Sequence, residues 1–247
     1  MRKVVFLGSK PIGYECFAWL IAQRIELQLQ IVGLYTKERA EFGDGHQLTA
    51  LAKKFHIPVL ESLDDMPECD IIYSVQYHEI LKQNHIDKAA QVAVNLHMAT
   101  LPEYRGSNQF SIAIIEEKEE FGTTIHTIQA GVDNGDILFQ KRFPIPPGCW
   151  VGELYDMTFN RSLNLFRQTL PHIINGKYNA VPQELLIPKY GTSLHYRKEM
   201  NTLKVIDLQW DKERIERQIR ATSMPGFEPP YCIINGEKVH FTRETNK

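Results

Sequence analysis

Over its first hundred residues the chain alternates short apolar runs with stretches of helical periodicity. That alternation constrains the fold more than any other feature. Val4 to Leu7 is a continuous apolar run closed by Gly8. Pro11 follows and can open a helix, because the N–H it lacks would be unpaired in the first turn anyway. Ile12, Cys16, Phe17, Leu20 and Ile21 then recur at helical spacing. Ile31 to Tyr35 reads as a second buried strand, Gln47 to Phe55 as a helix and Pro58 to Leu60 as a short strand. Ile71 to Val75 reads as a strand, His78 to Ala90 as a helix and Val92 to Leu96 as the next strand. Strands joined by helices require right-handed crossovers and build a mainly parallel sheet.

This predicts an α/β fold with a Rossmann-like, mainly parallel core. Further on, Phe110 to Ile115 suits a helix, and Thr123 to Ile128 and Ile137 to Pro144 suit strands flanking a Gly131 to Gly135 loop. Leu154, Met157, Leu163, Phe166, Leu170 and Ile173 lie at helical spacing, with Gly176 as the stop. Val181 to Tyr190, with Pro182 and Pro188, reads as a linker. Trp210, Ile215 and Ile219 suit a short helix. Tyr231 to Ile234, Asn235-Gly236 and Glu237 to Phe241 form a hairpin signal, since Asn-Gly accepts the positive φ angles of a type I′ turn. The 247 residues therefore divide into a catalytic-size domain over 1–190 and a small C-terminal helix-and-hairpin appendage over 191–247.

Charge and cysteines narrow the function. Lys plus Arg number 28 against 30 Asp plus Glu, a net of -2; proteins that hold nucleic acid through its phosphates usually carry a basic excess. Cys16, Cys69, Cys149 and Cys232 are too scattered for a zinc motif and read as free thiols in a reducing compartment. The apolar run at the start is shorter than the 7–15 residues, approximately, of a secretory h-region or the roughly 20 of a membrane span, so a cytoplasmic protein without membrane contact is expected. Gly8-Ser9-Lys10-Pro11-Ile12-Gly13 sits where a dinucleotide fingerprint would, but GxGxxG is absent. Pro11 removes an N–H from the cradle, and Tyr35-Thr36-Lys37 supplies no ribose-binding acid. A tight strand-to-helix turn explains it better.

The informative stretch is Val92 to Gly106. Asn95 and His97 are two apart, so they project from one face at a strand's carboxyl end, where open α/β sheets bind ligands. By themselves they fit a hydrogen-bonded core equally well. Gly131-Val132-Asp133-Asn134-Gly135-Asp136, between two strands, could be only a hairpin. Together these segments supply an amide, an imidazole and a carboxylate. That set suits acyl transfer to an amine: a donor for an oxyanion, a base, and a group to support the imidazolium.

The sequence resembles the folate-dependent formyltransferases, over about residues 1–190. The likeness is carried by Asn95-Leu96-His97, Leu101-Pro102-Glu103-Tyr104-Arg105-Gly106, Gly122-Thr123-Thr124-Ile125-His126, and Asp133-Asn134-Gly135 followed by Ile137 to Gln140. The resemblance implies a catalytic triad of Asn95, His97 and Asp133. Asp136 competes in the same loop, but the family position is the one before x-Gly. His97-Met98-Ala99 departs from the usual His-Pro-Ser or His-Gly-Ser without removing a catalytic group. The implied donor is 10-formyltetrahydrofolate, seated against Gln76, Tyr77, Ile80 and Leu81 and against Asp133 and Gly135 in the loop; no metal is implied.

The tail points to the acceptor. From Tyr190 to Lys247 there are ten Lys or Arg and eight Asp or Glu, a net of +2, which is a poor platform for tRNA. Ile206-Asp207-Leu208-Gln209-Trp210 and Arg220-Ala221-Thr222-Ser223-Met224-Pro225-Gly226-Phe227-Glu228-Pro229-Pro230-Tyr231 resemble the short-tailed enzymes that act on dTDP-linked amino sugars. By that resemblance the acceptor is a dTDP-amino-dideoxyhexose, with dTDP-4-amino-4,6-dideoxyglucose ahead of a 3-amino sugar, for bacterial O-antigen or other surface polysaccharide. Candidate acceptor contacts are Tyr104, Arg105, Asn108, Gln109, Lys204, Arg220, Phe227 and Tyr231, which offer aromatic faces, cations and hydrogen-bonding groups. Trp210 is better read as a core anchor. The hairpin's edges and apolar surface suggest a homodimer. The alternatives are a methionyl-tRNA or small-amine formyltransferase, and a folate- or nucleotide-binding module without catalysis.

Overall fold

A computed structural model describes residues 1–37 and 47–243. The order begins β1 (Arg2–Gly8), α1 (Pro11–Gln23), β2 (Leu29–Tyr35), α2 (Leu48–Lys54), β3 (Cys69–Val75), α3 (Gln83–Ile86) and β4 (Ala89–His97). It continues with β5 (Tyr104–Gly106), α4 (Gln109–Ile115), β6 (Glu120–Thr127), β7 (Ile137–Pro144) and α5 (Val151–Ile174). Six strands form one sheet in the order β2-β1-β3-β4-β6-β7. The first four run parallel, and β6 and β7 are antiparallel additions on the β4 side.

The apolar run of β1 is fully buried because both faces of the sheet are covered. Val4 and Phe6 pack into one core with Phe17, Leu20 and Phe166, while Val5 and Leu7 pack into another with Tyr35, Ile72 and Leu81. That division is the two-residue period of a strand. α5 seals the first core. Phe166 meets Tyr73 edge-on at 4.9 Å and Trp19 at 5.7 Å between ring centroids, and burial of such a ring contributes about 1.5–3 kcal/mol. A third core gathers Tyr104, Ile112, Phe121, Phe143, Leu154 and Ala221.

The remaining elements are α6 (Ile187–Tyr190), β8 (Ser193–His195), α7 (Met200–Leu203), α8 (Lys212–Thr222), β9 (Tyr231–Ile234) and β10 (Glu237–His240). α8 opens on Asp211, whose carboxylate accepts the Arg214 N–H at 2.8 Å. Through Ala221 it joins the third core, and it packs on α4 and α5. β9 and β10 make the expected hairpin, with φ of 51° at Asn235 and 85° at Gly236. β8 pairs in parallel with β5, so the chain after residue 190 is hydrogen-bonded to the loop after β4.

Two local expectations change. The Pro58 to Leu60 strand reduces to a single bridge between Val59 and Leu34. The helix expected over His78 to Ala90 is only α3, and residues 89 and 90 already belong to β4. Gln76 takes a left-handed φ of 52° and turns the chain across the sheet's carboxyl end. Leu81 is buried while the adjacent Ile80 is 63% exposed, so no helical face forms. Among the described residues, no helix is long and apolar enough to cross a membrane.

Candidate active site

The carboxyl ends of β3 and β4 lie side by side where the sheet changes from parallel to antiparallel, and β4 delivers Asn95 and His97 there. In the β4–β6 register Asn95 stands directly opposite His126. The loop after β6 then brings Asp133 over both. Asp133 adopts a φ of 47°, a left-handed conformation that costs a non-glycine residue roughly 1–2 kcal/mol. The loop's exit needs glycine: a Cβ on Gly135 would stand 1.8 Å from the Thr127 carbonyl oxygen.

Hydrogen bonds fix the protonation pattern. His97 Nε2 lies 2.7 Å from the Tyr104 carbonyl. A carbonyl only accepts, so Nε2 carries the proton and Nδ1 is the basic nitrogen. Nδ1 sits 3.6 Å from Asp133 Oδ2. His126 Nδ1 likewise donates to the Thr127 carbonyl at 2.8 Å, leaving Nε2 to accept from Asn95 Nδ2 at 3.1 Å. The second Asn95 N–H reaches Asp133 Oδ1 at 3.4 Å. Asp133 Oδ2 also accepts the Gly106 backbone N–H at 2.9 Å.

Burial would raise the Asp133 pKa, but the electrostatic pull of the neighbouring imidazoles, His97 first, and the hydrogen bond from the Gly106 N–H outweigh it and hold the carboxyl well below the usual carboxylate range. His97 is 3% exposed. Burial pushes its pKa down, Asp133 acts upward, and His126 and Lys10 act downward; the net direction is down. Near neutral pH the site therefore holds an ionised carboxylate beside a neutral imidazole.

A polar network fixes the loop that carries the Tyr104 carbonyl. Thr123 Oγ1 donates to the His97 carbonyl at 3.1 Å and accepts from Ser162 at 2.8 Å. Thr124 Oγ1 donates to the Ala99 carbonyl, and Gln140 donates to both the Leu101 carbonyl and Thr124. Arg142 grips Glu103 with two nitrogens, at 2.7 and 2.9 Å. On the far side of the Asp133 loop, Gln183 donates to the Asp133 and Gly135 carbonyls at 2.9 and 2.7 Å.

The sequence-derived donor residues lie along the end of β3. Gln76 accepts from Lys10 Nζ at 2.9 Å, Tyr77 packs edge-on against His78, Leu81 is core and Ile80 is exposed. Of the acceptor candidates, Tyr104 is 3% exposed, with its ring against Phe121 and its hydroxyl on Glu116. Its carbonyl, not its side chain, meets His97. Arg105 donates to the Val132 carbonyl in the Asp133 loop. Asn108 donates to the Tyr196 carbonyl, and Gln109 is buried at the start of α4. Lys204 and Tyr231 meet at the hairpin root: Lys204 lies 4.0 Å from Glu228, and the Tyr231 N–H bonds to the Lys204 carbonyl. Phe227 is exposed, and Arg220 lies on α8 with Nε buried. Asp136 joins the loop through its backbone, donating to Thr127 Oγ1 at 2.9 Å. Among the described residues no cluster of His, Cys, Asp and Glu could hold a metal ion.

His126 and Gln183 belong to the site and were not singled out in the sequence. His126 ends the Gly122-Thr123-Thr124-Ile125-His126 segment and alternates with Thr124, but its pairing with Asn95 depends on sheet order. Gln183 carries no local signal.

Comparison with known proteins identifies the family. The formyl transferase family model matches residues 36–170, a span that includes Asn95, His97, His126 and Asp133. The chain is 27% identical over 256 residues to a methionyl-tRNA formyltransferase of Lactiplantibacillus plantarum, covering 98% of this chain and 78% of that protein. Its fold matches that of an N-formyltransferase of Helicobacter canadensis in complex with folinic acid and dTDP-3-aminofucose, at a TM-score of 0.77 and 22% identity, over 97% of this chain and 86% of that one. It also matches a 4-N formyltransferase of Francisella tularensis, at a TM-score of 0.76 and 16% identity, over 100% of this chain and 98% of that one.

Proposed function

The chain belongs to the formyl transferase family and is an enzyme that transfers a formyl group to an amine; we propose that its acceptor is the amino group of a dTDP-linked amino-dideoxyhexose, with dTDP-4-amino-4,6-dideoxyglucose the first candidate. The observation that supports this reading is the fold: the chain matches the Helicobacter canadensis N-formyltransferase that is in complex with folinic acid and dTDP-3-aminofucose, and its residues 190–247 are nearly neutral. A tRNA enzyme must neutralise phosphates, and the tail has a net of only +2. The product would be a formamido sugar for surface polysaccharide.

The donor is 10-formyltetrahydrofolate. The residues at the site fit it: Asn134 Oδ1, in the loop that also carries Asp133, is buried with no hydrogen-bond partner, an acceptor for the N–H groups of a pterin edge. The donor supplies an electrophilic formyl carbon. His97 Nδ1 takes a proton from the acceptor nitrogen, which is mostly ammonium near neutral pH and must become a free amine to attack. Asp133 stabilises the imidazolium so formed. Asn95 gives up its longer bond to Asp133 and donates to the formyl oxygen as that oxygen gains charge. As the bond from the formyl carbon to the donor nitrogen breaks, His97 returns its proton to that departing nitrogen, and the second proton of the attacking nitrogen leaves through the freed imidazole to water. On this reading Gln76 and Tyr77 stand on the donor side and Arg105 and Asn108 on the acceptor side.

His97→Ala and Asn95→Ala should each lower turnover by about 10²–10⁴-fold, while calorimetry still detects binding of a folate. Near-normal turnover in both overturns the role assignment. For the acceptor, purified protein is incubated with 10-formyltetrahydrofolate and a panel of nucleotide-linked amino sugars, and mass spectrometry reads the formyl gain. The curated relative's name favours a second reading, methionyl-tRNA. Its signature is a rate on initiator methionyl-tRNA that falls steeply with salt, with no sugar in the panel formylated.

A further inference from the structure

The geometry points to Gln183 as a positioning residue that sets the conformation of the Asp133 loop. This rests on the assignment of Asp133 to the catalytic site. Gln183 is 4% exposed, and both hydrogens of its amide nitrogen are used, one on the Asp133 carbonyl at 2.9 Å and one on the Gly135 carbonyl at 2.7 Å. A buried amide that only filled space would lose its water contacts without return. Here the two acceptors bracket Asn134, in the turn where Asp133 takes its left-handed φ of 47°. The bonds the loop makes nearby, Asn134 Nδ2 to the Ala130 carbonyl and the Asp136 N–H to Thr127 Oγ1, hold its two ends. The Gln183 amide holds its middle, where the carboxylate is aimed.

Gln183 is itself held rigidly. Val181 and Ile137 exchange backbone hydrogen bonds of 2.9 Å in both directions, Pro182 follows, and residues 183–185 form a 3-10 turn. The Pro-containing stretch that reads as a linker thus straps the start of β7 and carries an amide to the back of the carboxylate loop.

The test uses the full-length enzyme with Gln183→Leu, Gln183→Glu and Gln183→Met, alongside Asp133→Asn. Leu and Met remove both donors, and Glu keeps the shape but presents acceptors to two carbonyls. Displacement of the carboxylate should lower kcat by about a hundredfold, with KM for folate and for the amine close to the parent's. Nitrogen-15 spectra of the imidazoles should show the His97 Nδ1 resonance moving toward its position in Asp133→Asn. A folded Gln183→Leu or Gln183→Met enzyme with parental kcat overturns the inference. So does a loss of rate that tracks the folded fraction while the His97 resonance stays put, or failure of all three variants to fold, which would make Gln183 a residue of stability alone. Parental activity in Asp133→Asn would instead overturn the assignment of Asp133.

Discussion

The neutral His97 beside an ionised Asp133 has consequences that titration can read. Burial is the largest influence on His97, with His126 and Lys10 acting with it and Asp133 and the Tyr104 carbonyl against it. Because its pKa is lowered, the base persists below the ordinary histidine value of about 6.5. The expected profile of log kcat/KM stays flat through that pH and bends only below it. A bend at or above 6.5 would contradict a buried base. The same shift sets a stability dependence. Between its folded and unfolded pKa values, His97 binds more protons in the unfolded chain, so stability falls as pH drops below about 6.5. Asp133 is depressed as well, and its contribution is lost only as pH falls below about 4. Thermal midpoints of the parent and of His97→Gln, measured from pH 8 to 5, should converge as the pH is lowered; a constant difference would contradict the His97 effect.

At the scale of elements, the tight contacts are between β5 and β8. A Cβ on Gly106, where φ is 83°, would stand 2.3 Å from the His195 carbonyl oxygen, and the Gly106 N–H is the one that Asp133 accepts. Gly106→Ala should cost about 1–3 kcal/mol by overpacking, with left-handed strain in addition, and turnover should fall with it. Phe166→Ala should cost about 3–5 kcal/mol in urea unfolding yet leave turnover per folded molecule near the parent's, since its ring packs on Tyr73 of β3 and Trp19 of α1. The elements themselves were mostly legible: β7 matches its expected bounds, Pro11 opens α1, and Asn235-Gly236 makes its turn. Each of these is set by local chemistry or by a period of two or 3.6. The false helix over His78 to Ala90 shows the limit. Its apolar residues are placed by the end of β3 and by the loop crossing it, not by a repeating face. Asn95, His97 and Asp133 could be gathered from motifs, whereas His126 and Gln183 enter through sheet order and through a strap fifty residues away, which no window of sequence contains.

At the scale of the molecule, the hairpin leaves apolar side chains in solvent: Ile233 is 53%, Ile234 45% and Val239 45% exposed. Paired with a second copy, this surface would close a two-fold interface. A dimer mass by light scattering at micromolar concentration is the expected result, with Ile233→Glu shifting it toward monomer; a monomer in the parent counts against the assignment. The strap and the β5–β8 pairing also bear on when the enzyme becomes competent during its synthesis. All six strands of the main sheet lie before residue 145, and α5, which seals its first core, ends at Ile174, so every element of the sheet and its cover is synthesised before the strap. Gln183 and Ser193–His195 arrive afterwards, and only then does the carboxylate loop have its backing and the Gly106 segment its partner strand. A nascent chain would thus carry its whole sheet before it could turn over, and the late-made strap, not the early sheet, would mark the moment at which it becomes an enzyme.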